Sequence, residues 1–307
     1  MIMKHRYESK ELLQFRALHS RMKLLEKDLT YYLNLEKGFE GERYFDERLS
    51  KHLSDDWIVL NDLIFEVNNT IFQIDTILIC NIAIYLFEIK NLDGDYYIEN
   101  NKWYSKITSK EIKNPLQQIA RSGSLFRRIL QDLGCDVSKI SLEYYVIFVH
   151  PEFHLYQAPI NHQLIFPAQM NRFMDKFYSK PLPQLSNTNF KLAEQLLTIQ
   201  LKESPYSRIP EYSYDKLKKG IICSNCRSFI IKGVNKSLVC KKCGHHEDIE
   251  SAILRSTNEY KLLFPKRKVT TNSIHEWCKI INSKKLIRRI LTTNFRAQGI
   301  GRSTFYI

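Results

Sequence analysis

Between Glu8 and Leu35 the chain contains neither Gly nor Pro, and Phe15, Leu18, Met22, Leu25, Leu29 and Tyr32 recur at alternating steps of three and four. That spacing predicts a helix with a narrow apolar seam, which either docks on its own domain or joins two chains as a homodimer through a coiled coil. Gly38 to Leu53 follows as a second helix, with Tyr44, Phe45, Leu49 and Leu53 on one face. Runs rich in Ile, Val, Phe and Tyr at Trp57–Leu60, Thr70–Cys80 and Ile82–Lys90 predict strands. The last is nearly continuous in apolar residues, as expected for a strand covered on both faces. A helix from Pro115 to Leu133 is bracketed by Asn114 as cap and Gly134 as stop, and Tyr144–His150 reads as another buried strand. This order of elements predicts an α/β sandwich around a mixed sheet.

Beyond Phe177 the pattern weakens. Ser179–Thr188 is rich in Pro and Ser, Asn189–Leu201 is one short helix, and Ser204–Tyr214 is loop-like. Near the end, Asn272 caps an expected helix through Ile281, and Ser283 caps another through Leu291. The expected organisation is an N-terminal helix (1–36), an α/β domain (37–178), a linker with one helix (179–218), a cysteine module (219–248) and a helical C-terminal region (249–307).

Charge sharpens this division. From Lys216 onward, 20 Lys and Arg face 5 Asp and Glu, so nearly all of the net charge of +13 lies in the C-terminal third. A basic block of this size draws polyanions, of which nucleic acid is the commonest soluble kind. The first residues lack an apolar core of the sort a signal peptide needs, and Ile74–Cys80 and Ile82–Phe87 fall far short of the ~20 residues of a membrane helix. A cytoplasmic protein with no membrane partner is the expectation. Seven cysteines, an odd number with four closely paired, do not read as a secreted disulfide framework.

Candidate chemistry interrupts the strands. In Ile82-Ala-Ile-Tyr-Leu-Phe-Glu88-Ile-Lys90 the two charged residues share a face, as do Gln73 and Asp75 on the preceding strand. Burying such charges costs several kcal/mol each unless they are paired or bind a metal. If the two strands form a hairpin, their carboxylates approach, and a divalent cation between them relieves the repulsion. Hard oxygen ligands with a nearby lysine suit Mg²⁺-assisted phosphodiester hydrolysis, although a surface ion pair at a strand end offers the same spacing.

The run Gly38-Phe-Glu-Gly41-Glu42, followed in order by Asn61-Asp62-Leu63, Gln73-Ile-Asp75, Phe87-Glu88-Ile-Lys90-Asn91, Gly94, Trp103 and Asn114-Pro115-Leu-Gln-Gln118, resembles the nuclease-related (NERD) domain, which is itself similar to the PD-(D/E)xK nucleases. The resemblance covers about Lys37 to Pro151. It implies a restriction-endonuclease-like α/β/α sandwich and a hydrolase needing Mg²⁺ or Mn²⁺, with DNA as the expected substrate. By position, Asp75 and Glu88 match the metal-binding carboxylates, Lys90 the catalytic lysine, Glu42 the acidic residue that the first helix contributes to the site, expected as a third metal ligand, and Gln118 the glutamine of the later helix. Thr76 and Ile77 depart from the family, where many members carry His and an apolar residue after the aspartate. On residue chemistry alone, Gly38 and Gly41 read as sites of close helix packing and Trp103 as a core anchor.

Cys223-Ser-Asn-Cys226 and Cys240-Lys-Lys-Cys243 flank a short apolar hairpin beginning at Phe229. Four thiolates at this spacing fit one tetrahedral Zn²⁺, and a full Cys₄ set leaves no open position, so the ion is expected to be structural; His245 and His246 are a lesser ligand option. The module looks like a zinc ribbon. Lys232, Lys236, Lys241, Lys242, Lys266, Arg267, Lys268, Arg288 and Arg289 surround it with charge fit for phosphate contacts. The last helices have the makings of a helix-turn-helix, without a recognition helix that the sequence singles out.

Overall fold

A computed structural model describes residues 1–51, 54–160, 162–178, 183–230, 233–234 and 237–307. Leu53, Lys232 and Lys236, singled out above, lie outside them. The N-terminal region is not one helix. After strand β1 (Ile2–Lys4), α1 (Lys10–Arg21) starts at the cap Ser9, and α2 (Glu26–Ser50) runs through Gly38 and Gly41 without a break. The interruption falls instead at Met22, whose extended backbone (φ −145°, ψ 162°) ends α1. The apolar seam is used within the chain: Phe15 and Leu18 are fully buried, Phe15 stacks on Tyr32 at 6.1 Å, and Leu25 is left exposed.

The chain then forms β2 (Ile58–Val67), β3 (Thr70–Ile79), β4 (Ala83–Lys90), β5 (Gly94–Glu99), β6 (Lys102–Ser105), β7 (Glu111–Ile112), α3 (Pro115–Asp132), β8 (Ser141–Phe148), β9 (Phe153–Tyr156), β10 (Leu164–Ile165), α4 (Met170–Tyr178) and α5 (Asn187–Ile199). After these come β11 (Gly233–Val234), β12 (Ser237–Val239), β13 (His246–Asp248), α6 (Ile249–Leu263), α7 (Thr271–Cys278), α8 (Lys284–Asn294), β14 (Ala297–Gln298) and β15 (Phe305–Tyr306). Two compact units result, one from Met1–Glu8 and Asn34–Tyr206, the other from Ser9–Leu33 and Ser207–Ile307.

In the first unit the main sheet has the order β1-β2-β3-β4-β8-β10. It is mixed: β2, β3 and β4 pair antiparallel, while β1 on β2, β8 on β4 and β10 on β8 are parallel. Strand alternation divides its side chains between two cores. Leu60, Ile77, Ile79 and Leu86 pack with Ile119 and Phe126 of α3 and Leu196 of α5, whereas Val59, Leu78, Phe87 and Ile147 pack with Phe45 of α2 and Met170 of α4. Helices therefore cover both faces, as the sequence pattern predicts. A second sheet of order β7-β6-β5-β9 adds Trp103, Phe153 and Leu155 to the first of these cores. Trp103 is 1% exposed and stacks on Phe148, so it is a core anchor.

In the second unit α1 packs against α6, and an aromatic cluster of Tyr214, Tyr260, Phe264 and Trp277 joins the helices. Arg21 lies 3.9 Å over Trp277 and forms a two-pronged ion pair with Glu259 at 2.9 and 2.8 Å. The helix expected from Asn272 instead starts at the cap Thr270, which closes a reciprocal capping box with Ser273, and ends at Cys278. Among the described residues, no helix is long and apolar enough to cross a membrane.

Candidate active site and metal centre

Strands β3 and β4 run antiparallel in the register Thr76↔Phe87 and Ile77↔Leu86, so the next opposed pair is Asp75 and Glu88. Both are buried, at 8% and 3% exposure. Asp75 Oδ2 accepts the Ile89 N–H at 2.7 Å. Glu88 Oε1 accepts from Lys90 Nζ at 2.6 Å and from Gln118 Nε2 at 2.6 Å, and Lys90 also donates to Gln118 Oε1 at 3.2 Å. Gln118 reaches them because Asn114 caps α3 and Pro115 opens it, setting its first turn beside the end of β4. The neighbouring Gln117 is exposed.

Glu42 arrives from the other side of the sheet on α2. A Cβ added at Gly41 would stand 2.4 Å from Asn91 Cβ, so glycine permits the close approach of α2 to the end of β4, and Asn91 Nδ2 fastens it by donating to Lys37 O at 2.7 Å. Gly38 meets nothing within 4 Å and serves no such packing role.

Sequence reasoning missed Arg6. Its guanidinium, with the side chain 3% exposed, donates to Glu42 at 2.7 Å, to Asp46 at 2.8 and 3.2 Å, to the Asp75 carbonyl at 2.8 Å and to Thr76 Oγ1 at 2.9 Å. Thr76 in turn donates to Asn61 Oδ1 at 3.0 Å, so the residue that departs from the family pattern anchors a buried polar chain. Nothing local in the sequence marks Arg6, because β1 brings it to the site by pairing with the distant β2, Ile2 opposite Val59.

Electrostatically the site is overloaded with negative charge. Burial, then the Asp75 charge, pushes Glu88 up to about 7. Burial and Asp75 likewise push Glu42 up to about 8, and burial raises Asp75 and Asp46. Burial alone would lower Lys90, but Glu88 and Asp75 outweigh it and hold the ammonium above its ordinary value. With Glu42, Asp46, Asp75 and Glu88 ionised against Arg6 and Lys90, the cluster carries two uncompensated negative charges. A divalent cation would neutralise them. The oxygen donors fit Mg²⁺, which commonly takes one or two carboxylates and keeps several waters. The expected set of three carboxylates is not drawn together: among the described residues only the four cysteines gather three or more ligand atoms within 4.8 Å of one another, and Glu42 is occupied by Arg6. Neither His150, His154 nor His162 joins such a group.

The cysteines form a compact centre. Cys223 Sγ and Cys243 Sγ are 3.7 Å apart and Cys226 Sγ and Cys240 Sγ 3.4 Å, too far for disulfides and close to the edge of a tetrahedron with Zn–S of about 2.3 Å. In each knuckle the residue after the second cysteine has a left-handed backbone, Arg227 at φ 58° and Gly244 at φ 72°. Hydrogen bonds involving Ser228 lower Cys226 to about 6, while burial raises its neighbour Cys223 to about 11. His245 Nε2 is engaged by Ser224 Oγ at 2.9 Å, and His246 lies exposed on β13. The ligand set is therefore Cys₄, and the site fits zinc.

Of the basic candidates, Lys241, Lys242, Lys266, Arg288 and Arg289 are exposed. Arg267 and Lys268 are exposed as well, and lie over the rings of Tyr214 (4.2 Å) and Phe305 (4.6 Å) of their own unit.

A mixed sheet lies between helix layers, with Asp75 midway along β3 and Glu88 and Lys90 at the end of β4. Residues 37–149 match the family model of the nuclease-related domain, and the chain also carries the Cys₄ module. No curated protein and no solved structure matches the chain.

Proposed function

We propose that the protein is a Mg²⁺- or Mn²⁺-dependent nuclease acting on DNA, with Asp75 and Glu88 as metal ligands and Lys90, Gln118 and Glu42 completing the site. The observation that carries this reading is the buried excess of carboxylates on which Glu88, Lys90 and Gln118 converge. A divalent ion bound there would polarise the phosphate and lower the pKa of its water. Lys90, kept cationic by its neighbours, is suited to stabilise charge growing on the phosphate oxygens rather than to take a proton. Gln118 holds Glu88 and Lys90 in register, and Arg6 fixes Glu42 and the β3 backbone beside them. The zinc ribbon and basic C-terminal region engage the nucleic acid.

A second reading, a nucleic-acid-binding protein that retains the fold without turnover, draws on the pairing of Lys90 with Glu88 and of Glu42 with Arg6. Incubating purified protein and a Glu88→Ala variant with single-stranded, double-stranded and supercoiled DNA, with Mg²⁺, Mn²⁺ or no divalent ion, separates the two. Divalent-dependent cleavage lost in the variant supports the nuclease. DNA bound but uncut by both proteins overturns it.

A further inference from the structure

The last sixty residues follow a specific order of elements. Val269, between α6 and α7, bridges Tyr306 of β15, whose other edge pairs with Ala297 of β14. Three helices are thus tied to a small antiparallel sheet ordered Val269, β15, β14, whose first edge lies between α6 and α7 and whose hairpin follows α8, the topology of a helix-turn-helix followed by a β-wing. Helices α7 and α8 are joined by Lys279–Asn282, with Ser283 capping α8 through a 3.2 Å bond from Leu286 N–H, close to the 3–4-residue turn of that motif. The wing needs its glycine: Gly299 has φ +83°, and a Cβ there would lie 2.8 Å from Ser303 O.

Helix α8 divides cleanly. Ile287, Ile290 and Leu291 are buried against the unit, while Lys284, Lys285, Arg288 and Arg289 are exposed, and the helix carries no acidic residue. Arg296, between α8 and the wing, is exposed as well. We propose that α8 is a recognition helix that enters the major groove of duplex DNA, with the 299–304 turn set against the adjoining backbone. A helix about 10–12 Å across with its side chains matches a B-form groove about 12 Å wide, and arginines are the side chains that pair bidentately with guanine edges. The deep, narrow major groove of A-form RNA does not admit a helix, and a single strand offers no groove. This inference deepens the nucleic-acid engagement proposed above and is independent of whether the α/β unit cuts.

The test is fluorescence anisotropy on the full chain in divalent-free buffer, with duplex DNA, its single strand and duplex RNA across a salt series. Duplex DNA is expected to bind tightest. Arg288→Ala with Arg289→Ala should weaken it by about tenfold or more. Lys241→Ala with Lys242→Ala, on the ribbon, should not alter the preference for duplex. Should the arginine pair fail to fold, judged by circular dichroism and zinc content, Lys284→Gln with Lys285→Gln carries the same test. Unchanged duplex affinity in a folded variant, or equal affinity for single strands or duplex RNA, overturns the proposal. A protein that binds duplex DNA through α8 but cuts nothing with Mg²⁺ sinks only the nuclease reading; one that cuts and ignores these substitutions sinks only this one.

Discussion

Replacing Glu88 by glutamine is expected to stabilise the protein at alkaline pH while abolishing cleavage. Burial and Asp75 raise the Glu88 carboxyl from 4.5 to about 7 in the folded chain. Because the folded value lies above the unfolded one, folding favours the protonated form. Its contribution is complete below about pH 4.5 and is lost as pH rises through about 7. At about 1.4 kcal/mol per tenfold change in proton affinity, the ionised carboxylate costs roughly 3 kcal/mol at pH 8 when no cation is bound. Glutamine keeps an oxygen able to accept from both Lys90 and Gln118, the two donors that meet Glu88 Oε1, so the exchange removes the charge and spares the contacts.

Thermal unfolding in Chelex-treated buffer measures this, since a chelator would compete for zinc. The variant should match the wild type near pH 5 and exceed it near pH 8 by on the order of 5–10 °C. Added Mg²⁺ should raise the wild type alone at pH 8, because only the carboxylate binds the ion strongly. A Glu88→Gln protein no more stable than wild type at pH 8, with Mg²⁺ acting equally on both, would refute the claim that Glu88 sits in an uncompensated negative cluster.

Arg6→Ala should lower stability by about 3–5 kcal/mol in urea titration, because it strands Glu42 and Asp46 without their partner and leaves the Asp75 carbonyl unpaired. Cys240→Ser should lose zinc by elemental analysis and unfold the second unit, leaving the circular dichroism of the α/β unit in place. Deleting residues 1–36 should yield insoluble protein, since it removes β1 and Arg6 from one unit and α1, with Arg21, from the other.

The site was legible where chemistry is local. Asp75, Glu88 and Lys90 interrupt apolar strands, and their meeting follows from a hairpin that strand periodicity predicts. The Cys₄ set and the Asn114 cap of α3 are likewise visible in short words of sequence. Two hairpin signals also lie in the sequence. Asn68-Asn69 and Asn100-Asn101 both have positive φ at each residue, the signature of tight turns, and they join β2 to β3 and β5 to β6. Reading the second would have revealed the extra sheet. What no local pattern carries is long-range pairing: β1 against β2, which delivers Arg6, and α1 against α6, which absorbs the apolar seam that otherwise suggests a coiled coil. The break at Met22 has no Gly or Pro beside it to mark it. The helix continues through Gly38 and Gly41 because Gly41 is needed against Asn91.

On the proposed reading, the two units divide the physics of DNA processing between them. Counted by unit, the α/β unit holds 20 basic and 23 acidic residues, while the other holds 26 and 10, a difference between −3 and +16. A unit that is net negative and concentrates buried carboxylates at its site repels a polyanion over roughly a Debye length of 8–10 Å, so it is poorly suited to capture DNA unaided. Affinity must then come from the basic unit and turnover from the acidic one. On the proposed reading, salt and substitutions on α8 act on KM through the phosphates released or gained, whereas Lys90 and Gln118 act on kcat because they meet the phosphate only once it is delivered.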